Sequence, residues 1–411
     1  MSAPGLQRRL GTVDATVIGL GSMIGAGVFA AFAPAAAAAG SGLLLGLASA
    51  ALVAWCNATS SAQLAARYPR SGGTYVYGRE RLGPWWGFVA GWGFVIGKTA
   101  SCAAMALTAA AYLVPAAWHR PVAVLAVVAV AGVNLAGVTR TARLTRILVA
   151  VVLLALVAIL TVAVVRGPLQ PAGLAVGGSG AYGVLQAAGL LFFAFAGYAR
   201  VATLGEEVRE PARTIPRAIT LALAGTVVVY AAVGVVLLLV LGPTRLAAST
   251  APLAEVLPPG ATWIAAAGGA LASLGALLGL VAGVGRTVLA MARESDLPAP
   301  LAAVHPRRSV PHRAEIAVAL VVVVLVCTVD LRGVIGFSSL GVLLYYFVAN
   351  LSALGQPPPE RRYPRGFQVL GMTGCAVLAA TLPWQSVVIG VGVVAAGVGY
   401  RWTRVRVGRS A

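Results

Sequence analysis

The chain has 411 residues, of which 59% are hydrophobic and only 10% are charged, so its apolar surface is too large for a water-soluble domain to bury. The formal net charge of +19 at pH 7 comes without aromatic interleaving or a basic recognition helix, which excludes nucleic acid as a partner. Composition therefore predicts an integral membrane protein in contact with membrane lipid.

Apolar stretches long enough to cross about 30 Å of hydrocarbon, roughly 20 residues each, recur along nearly the whole sequence. Strand-like alternation with regular turn signals is absent, so backbone groups must be satisfied within helices and the predicted fold class is all-α. We predict twelve membrane spans, of which the last two are short, at residues 13–37, 41–66, 84–115, 121–138, 146–165, 181–204, 217–241, 261–291, 314–329, 333–354, 367–382 and 384–400.

Basic residues are distributed unevenly between the segments that connect these spans. With a cytoplasmic amino terminus, nearly all arginines fall on the cytoplasmic side, as the positive-inside rule requires. The arginines predicted to face outside are Arg120, Arg166, Arg245 and Arg332. We therefore expect a multi-pass protein of the cell (inner) membrane with both termini in the cytoplasm. Arg8 and Arg9 before an apolar run would also suit a signal peptide ending near Ala39, but that run is long for one.

Two spans contain interruptions of the apolar helix pattern. The first span has four glycines between Gly19 and Gly27, and each costs a helix roughly 1 kcal/mol relative to alanine. The sixth span contains Phe-Ala-Gly-Tyr-Ala from Phe195 to Ala199. Interrupted helices at corresponding positions of two five-helix halves are typical of inverted-repeat secondary transporters. The alternative is that glycines such as Gly21 and Gly25 only permit close helix packing.

Four sequence runs resemble those of the amino acid-polyamine-organocation permeases, in particular the amino acid permeases. They are Gly-Ser-Met-Ile-Gly-Ala-Gly-Val-Phe at 21–29, Tyr-Pro-Arg-Ser-Gly-Gly-Thr-Tyr at 68–75, Phe-Ala-Gly-Tyr at 195–198 continuing to Glu210-Pro211, and Met-Ala-Arg-Glu-Ser-Asp-Leu-Pro at 291–298. The resemblance covers roughly residues 10–355.

This resemblance implies a core of two inverted five-helix repeats (LeuT-like) with two further helices, and an amino acid substrate bound between spans one, three, six and eight. The expected divisions are a cytoplasmic segment at 1–12, a first repeat at 13–165, a second repeat at 181–355, accessory helices at 366–400 and a basic cytoplasmic tail at 401–411.

The interruptions also suggest how a zwitterion could be bound in mid-bilayer. The N–H groups near Gly25 would begin a new half-helix whose positive end suits a carboxylate. The carbonyls of Phe195 and Ala196 would accept hydrogen bonds from an ammonium group, while Gly197 supplies backbone freedom. Phe193 and Phe195 are a candidate aromatic gate or, alternatively, ordinary core aromatics. The predicted substrate site comprises Gly21, Ser22, Ile24, Gly25, Ala26, Gly27, Phe193, Phe195, Ala196 and Gly197.

Two residues, Ser273 and Lys98, bear on which ion is coupled to transport. Sodium-coupled relatives of this fold use first-span carbonyls together with a Ser/Thr pair on the eighth span. Residues 270–285 supply only Ser273, which argues against a sodium site of that kind. Some proton-coupled relatives place a lysine on the fifth span, and residues 147–165 contain none. Lys98 is the only lysine in the sequence, against 29 arginines, and lies near the midpoint of the third span. Because ionisable residues inside membranes are costly and often functional, we expect Lys98 to titrate during transport or to replace a bound cation. The alternative is a purely structural lysine.

A candidate inner gate lies near the cytoplasmic end of the sixth span. Glu206 and Glu207 would pair with Arg67 or Arg70 of the second connection while the inner path is closed. The alternative is solvated surface charge, which contributes about 0–1 kcal/mol per exposed pair.

Other functional classes find little support. His119, His305 and His312 fall in predicted loops and no carboxylate lies deep in a span, so we expect no enzyme activity, metal or cofactor. We expect this chain to be an amino acid symporter with a proton as its coupling ion. An exchanger of amino acids or amines, an uncoupled facilitator and, more remotely, a non-transporting amino acid sensor stay open as alternatives.

Overall fold

The computed structural model describes residues 10–69, 72–137, 142–174, 180–202, 208–308 and 310–407. Over these ranges the chain is almost entirely helical, with one isolated bridge between Leu10 and Val208. The helices are α1 Thr12–Met23, α2 Ala26–Ala30, α3 Phe32–Ala39, α4 Leu43–Arg67, α5 Thr74–Leu82, α6 Pro84–Leu113, α7 His119–Leu135, α8 Ala142–Arg166, α9 Gly180–Phe195, α10 Ala199–Ala202, α11 Pro211–Ala248, α12 Pro252–Glu255, α13 Thr262–Arg293, α14 His312–Thr328, α15 Leu331–Leu354, α16 Arg365–Thr381 and α17 Trp384–Val407.

Ten helical stretches in the described ranges are long and apolar enough to cross a membrane. They correspond to ten of the twelve predicted spans, and α14 and α16 correspond to the ninth and eleventh. Each of these two helices has 17 residues, or about 26 Å at a rise of about 1.5 Å per residue, slightly less than the hydrocarbon thickness. The all-α, multi-pass prediction is confirmed.

The expectation of a short final span was wrong. Helix α17 has 24 residues and continues to Val407, so that residues 401–407, beyond the apolar stretch, are also helical. Arg401, in this extension, is buried rather than solvated.

Helix α6 occupies the centre of the bundle, where it packs against α13 and α15. Its contact with α15 is made through glycines. A Cβ atom built on Gly97 would lie 3.1 Å from the Cα atom of Gly341, and one on Gly93 would lie 2.9 Å from the carbonyl oxygen of Gly341. Without side chains between them the two backbones touch, so α6 and α15 form a closely packed pair.

The interrupted first span lies inside this bundle. Helix α2 packs against α6, α9 and α13, and α1 packs against α10 and the 3-10 turn that follows α9. The first, third, sixth and eighth predicted spans therefore meet at one place, which positions the candidate site.

Candidate functional site

The first span is interrupted at Ile24 and Gly25. The N–H of Ile24 donates to the carbonyl of Leu20 at 2.7 Å and closes α1, and Gly25 leaves the helical conformation before α2 begins at Ala26. A Cβ atom on Gly25 would lie 2.7 Å from the Cβ atom of Ala276 on α13. Glycine at this position therefore serves both the break and the close approach of α13.

The sixth span changes from an α-helix to a 3-10 turn over Ala196–Tyr198, and α10 resumes at Ala199. This interruption is tighter than the freed segment predicted from the sequence. A 3-10 turn keeps i to i+3 hydrogen bonds, so less backbone is left unsatisfied in an apolar environment.

The two interruptions are in direct contact. A Cβ atom on Gly197 would overlap the backbone carbonyl of Ser22 and the backbone nitrogen of Met23. One on Gly27 would lie 2.6 Å from the Cβ atom of Ala194 on α9. Glycines on both sides thus allow the backbones of the first and sixth spans to touch at the breaks.

Tyr230 on α11 connects the same two spans. Its hydroxyl lies 2.5 Å from the carbonyl oxygen of Met23 and 3.0 Å from that of Ala194, and it has one proton to share between them. The ring is fully buried and meets Phe195 edge-on, with ring centroids 5.0 Å apart. No local sequence pattern identifies this residue.

Lys98 lies at the centre of α6 and is 6% exposed. Its Nζ donates to the carbonyl oxygen of Ala196 at 3.1 Å, and the hydroxyl of Tyr346 on α15 donates to the same oxygen at 3.4 Å. Among the described residues Lys98 has no ion-pair partner. The carbonyl that was predicted to receive a substrate ammonium therefore already accepts hydrogen bonds from the protein, and the first donor is itself an amino group.

Other predicted site residues lie on the helices that meet at this junction. Ser273 on α13 is fully buried, and its hydroxyl has no hydrogen-bond partner within the described part of the chain. A cavity of about 20 Å³, lined in part by Gly21 and Ile24, lies beside the first interruption, which is room for about one water molecule. Ser22 donates to the carbonyl of Ile18 at 2.8 Å. Phe193 and Phe195 are both buried.

The predicted gate is only partly described. Arg67, at the end of α4, pairs with Glu360 at 2.9 Å. Arg70, Glu206 and Glu207 lie outside the described residues.

A buried cluster of charged residues, which we call the Asp296 cluster, lies beside the predicted cytoplasmic end of α6. Asp296 follows α13, is 4% exposed, and accepts hydrogen bonds from the Tyr75 hydroxyl at 2.9 Å and from Arg79 Nη1 at 3.2 Å. Arg401 of α17 also pairs with it, and Glu294 pairs with Arg79 at 2.9 Å.

Charge and burial keep the Tyr75 hydroxyl of this cluster protonated. Burial, followed by the adjacent Asp296 carboxylate, raises the pKa of the Tyr75 hydroxyl well above its usual range. Tyr75 therefore keeps its proton and donates it to Asp296. Both residues fall in sequence runs that carry the family resemblance, but nothing in the sequence connected them to Arg401.

A second buried polar network joins α4, α15 and α16. Ser60 Oγ lies 2.7 Å from Asn350 Oδ1, and Asn350 Nδ2 donates to Asn57 Oδ1 at 2.6 Å. Asn57 Nδ2 lies 3.3 Å from Cys375 Sγ. These contacts fix the accessory helix α16 against the core through polar side chains that are costly to leave unpaired.

Comparison with known proteins agrees with this architecture. The sequence profile of the amino acid permease family matches residues 10–402. An uncharacterized transporter of Mycobacterium tuberculosis is 61% identical over 403 residues, which cover 96% of this chain and 91% of the relative. The branched-chain amino acid permease of Bacillus subtilis is 26% identical over 428 aligned positions, covering 93% of this chain and 90% of the relative.

Partial similarity extends to eukaryotic proteins. The human cationic amino acid transporter 4 is 35% identical over 172 residues, which cover 41% of this chain and 27% of the relative. The match of the family profile to nearly the whole sequence, together with the relatives that align over most of both sequences, shows that the chain belongs to the amino acid permeases of the amino acid-polyamine-organocation superfamily.

Proposed function

We propose that the chain is a secondary active transporter that carries amino acids across the cytoplasmic membrane by alternating access, with a proton as the coupling ion. The substrate binds where the first and sixth spans are interrupted, and both termini lie in the cytoplasm. The observation that most supports this proposal is the hydrogen bond from Lys98 to the carbonyl of Ala196, which places the only lysine of the chain at the junction of the two interrupted spans.

The sign of coupling follows from the substrate group that approaches Lys98. A carboxylate near Nζ stabilises the protonated lysine, so proton and substrate bind together, as symport requires. An ammonium group there would repel the protonated lysine, so substrate binding would release the proton, as antiport requires. The α2 amino terminus, beginning at Ala26, also favours an anion, so we place the substrate carboxylate on the side of α2 and Lys98. The ammonium then turns to the carbonyls at the sixth-span interruption, beginning with that of Phe195 at the end of α9.

This arrangement requires Lys98 to release the Ala196 carbonyl during the cycle. Tyr346 also donates to that oxygen, so the carbonyl keeps a partner when the lysine turns toward a substrate carboxylate. In this way no buried acceptor is left without a donor, which would cost about 1–3 kcal/mol.

The decisive experiment is uptake into liposomes with a panel of labelled neutral, branched-chain and cationic amino acids, with and without an inward proton gradient. Wild type is expected to accumulate at least one of them only when the gradient is present. If no amino acid or amine binds or crosses under any gradient, the transport proposal fails.

The role of Lys98 is tested separately. Lys98→Met and Lys98→Arg are both expected to abolish proton-driven accumulation. Thr108→Ala is the matched control, because Thr108 is buried in the same helix and its hydroxyl donates only to the carbonyl of Ala104 in that helix. Normal accumulation in either Lys98 variant would remove the lysine from the mechanism while leaving transport intact.

An exchange mode is distinguished in the same liposomes. Uptake that depends on unlabelled amino acid inside, and not on the proton gradient, would identify an exchanger.

The gate also stays a proposal, in which Glu206 or Glu207 pairs with Arg67 or Arg70 in the inward-closed state. Glu206→Gln is then expected to change the rates of inward opening and therefore the uptake rate. Unchanged transport by this variant would indicate solvated charge instead.

A further inference from the structure

A long crevice of about 1000 Å³ runs along the side of the bundle, away from the Lys98 junction. Its floor is formed by α6 and α15, and its sides by α14 and α17, with the first turns of α9 at one end. Exposed apolar residues flank it on both sides, including Leu320 on α14, which is 62% exposed, and Val388 on α17, which is 61% exposed. In a chain that spans a membrane such faces contact lipid, so the crevice opens toward the bilayer.

Along α17 the depth of the crevice matches one leaflet. On this helix the lining extends from Trp384 to Val393, a distance of about 14 Å at a rise of about 1.5 Å per residue. The lining also includes Val288 of α13 and Leu301 of the connection to α14. One leaflet of the hydrocarbon region is about 15 Å deep, half of its full thickness. Deeper polar side chains are satisfied internally, since Trp92 Nε1 donates to the carbonyl of Val393 at 3.0 Å and Thr99 to that of Val95 at 2.7 Å. Below its rim the crevice is therefore effectively apolar.

The rim carries a different set of residues. Tyr182 and Trp384 line it and are 60% and 68% exposed, as expected of aromatic residues at the membrane interface. Asp330 and Arg332, of opposite charge and both exposed, also line this end. Asp330 caps α15 by accepting a hydrogen bond from the N–H of Gly333 at 2.7 Å.

We propose that this crevice binds one phospholipid with a zwitterionic, primary-amine headgroup. One of its two acyl chains lies along α6 and α17, the phosphate pairs with Arg332, and the ammonium pairs with Asp330. Arg332 offers a positive charge for the phosphate, and Asp330 offers a negative charge for the ammonium. The apolar part of the crevice has the depth of an acyl chain in one leaflet. A second protein copy would need a complementary projecting surface rather than a narrow apolar channel with a charged end, so lipid is the occupant that these features favour.

The site has a structural role that does not depend on the coupling mechanism. The bound chain fills the space beside α6 at Val95 and Thr99, on the helix that holds Lys98. It thereby supports the contact of α6 with α15 from the membrane side.

The test uses the full-length protein in nanodiscs of phosphatidylglycerol that contain phosphatidylethanolamine with a photoreactive diazirine on one acyl chain. Cross-linked peptides are identified by mass spectrometry and are expected to come from α6, α14 and α17. Val321→Trp, which fills the crevice from α14, should abolish cross-linking at these peptides. Val324→Trp is its matched control, because Val324 is 59% exposed on the same helix and is not part of the lining.

The headgroup is tested at the rim. Arg332→Gln should lower cross-linking about fivefold, the effect expected for one interfacial arginine, whereas Arg245→Gln, an exposed arginine on the same predicted side, should not. A diazirine-labelled phosphatidylglycerol should label the crevice more weakly than phosphatidylethanolamine, and Asp330→Asn, which keeps a capping side chain, should remove that difference.

Three results would overturn the proposal. They are labelling that Val321→Trp leaves unchanged, equal labelling by the two lipids in wild type, and protein dimers in the nanodisc that Val321→Trp dissociates. Monodisperse elution of each variant shows that a loss of labelling is not a loss of folding.

Discussion

Replacing Asp296 with asparagine should destabilise the protein, because the buried Arg401 cation then loses its carboxylate partner. Arg401 is 7% exposed and is held between Asp296 and the rings of Trp85 and Phe88, with its guanidinium carbon 5.1 and 5.0 Å from their centroids. Removing one partner of a buried ion pair costs about 3–5 kcal/mol. The two rings remain as a partial counterpart for the cation, so we expect a loss near the lower end of this range, about 3 kcal/mol.

The same cluster supplies the control. Glu294 pairs with Arg79, but its side chain is 53% exposed, so Glu294→Gln should cost about 0–1 kcal/mol. In a thermal ramp of the detergent-solubilised protein, Asp296→Asn should lower the melting temperature by roughly 5 °C, and Glu294→Gln by far less.

A double variant distinguishes destabilisation by an unpaired charge from destabilisation by lost packing. Adding Arg401→Met to Asp296→Asn removes the stranded cation and should recover part of the lost melting temperature, because apolar replacement of buried ion pairs is often neutral. Equal destabilisation by the Asp296 and Glu294 variants, or a double variant less stable than Asp296→Asn alone, would refute this reasoning.

Three further substitutions test the site and the core. Tyr230→Phe removes the hydroxyl shared by two buried carbonyls and should cost about 1–3 kcal/mol, seen as a lower melting temperature and slower uptake. Gly197→Ala should abolish uptake because its Cβ meets the backbone of the first span, whereas Gly279→Ala, with no atom within 4 Å of the added Cβ, should transport normally. Asn350→Ala leaves the partners in its polar network unsatisfied and should lower the melting temperature, while unchanged stability would show that the network contributes little.

The sequence predicted the interruptions better than their surroundings. Clustered glycines impose a local cost on a helix, so the break at Gly25 could be read from the first span alone. The 3-10 form of the second break could not, because one glycine at Gly197 does not specify the hydrogen-bond pattern. Tyr230 lies 207 residues from the carbonyl of Met23, and no local pattern connects residues so far apart.

The length of the final helix was missed for a related reason. Hydropathy ended the span where arginines begin, yet Arg401 is paired and stacked within the protein. Its partner Asp296 lies 105 residues earlier, so the compensation that permits a buried arginine becomes visible only in three dimensions.

The glycine contact between α6 and α15 has a consequence for motion. Lys98 and Tyr346 lie on these two helices and both donate to the carbonyl of Ala196. Because backbones that touch directly cannot slide without collision, α6 and α15 must move as one unit relative to the sixth span. Such a movement changes both hydrogen bonds to Ala196 at once, whereas rotation of the Lys98 side chain alone leaves that of Tyr346 in place.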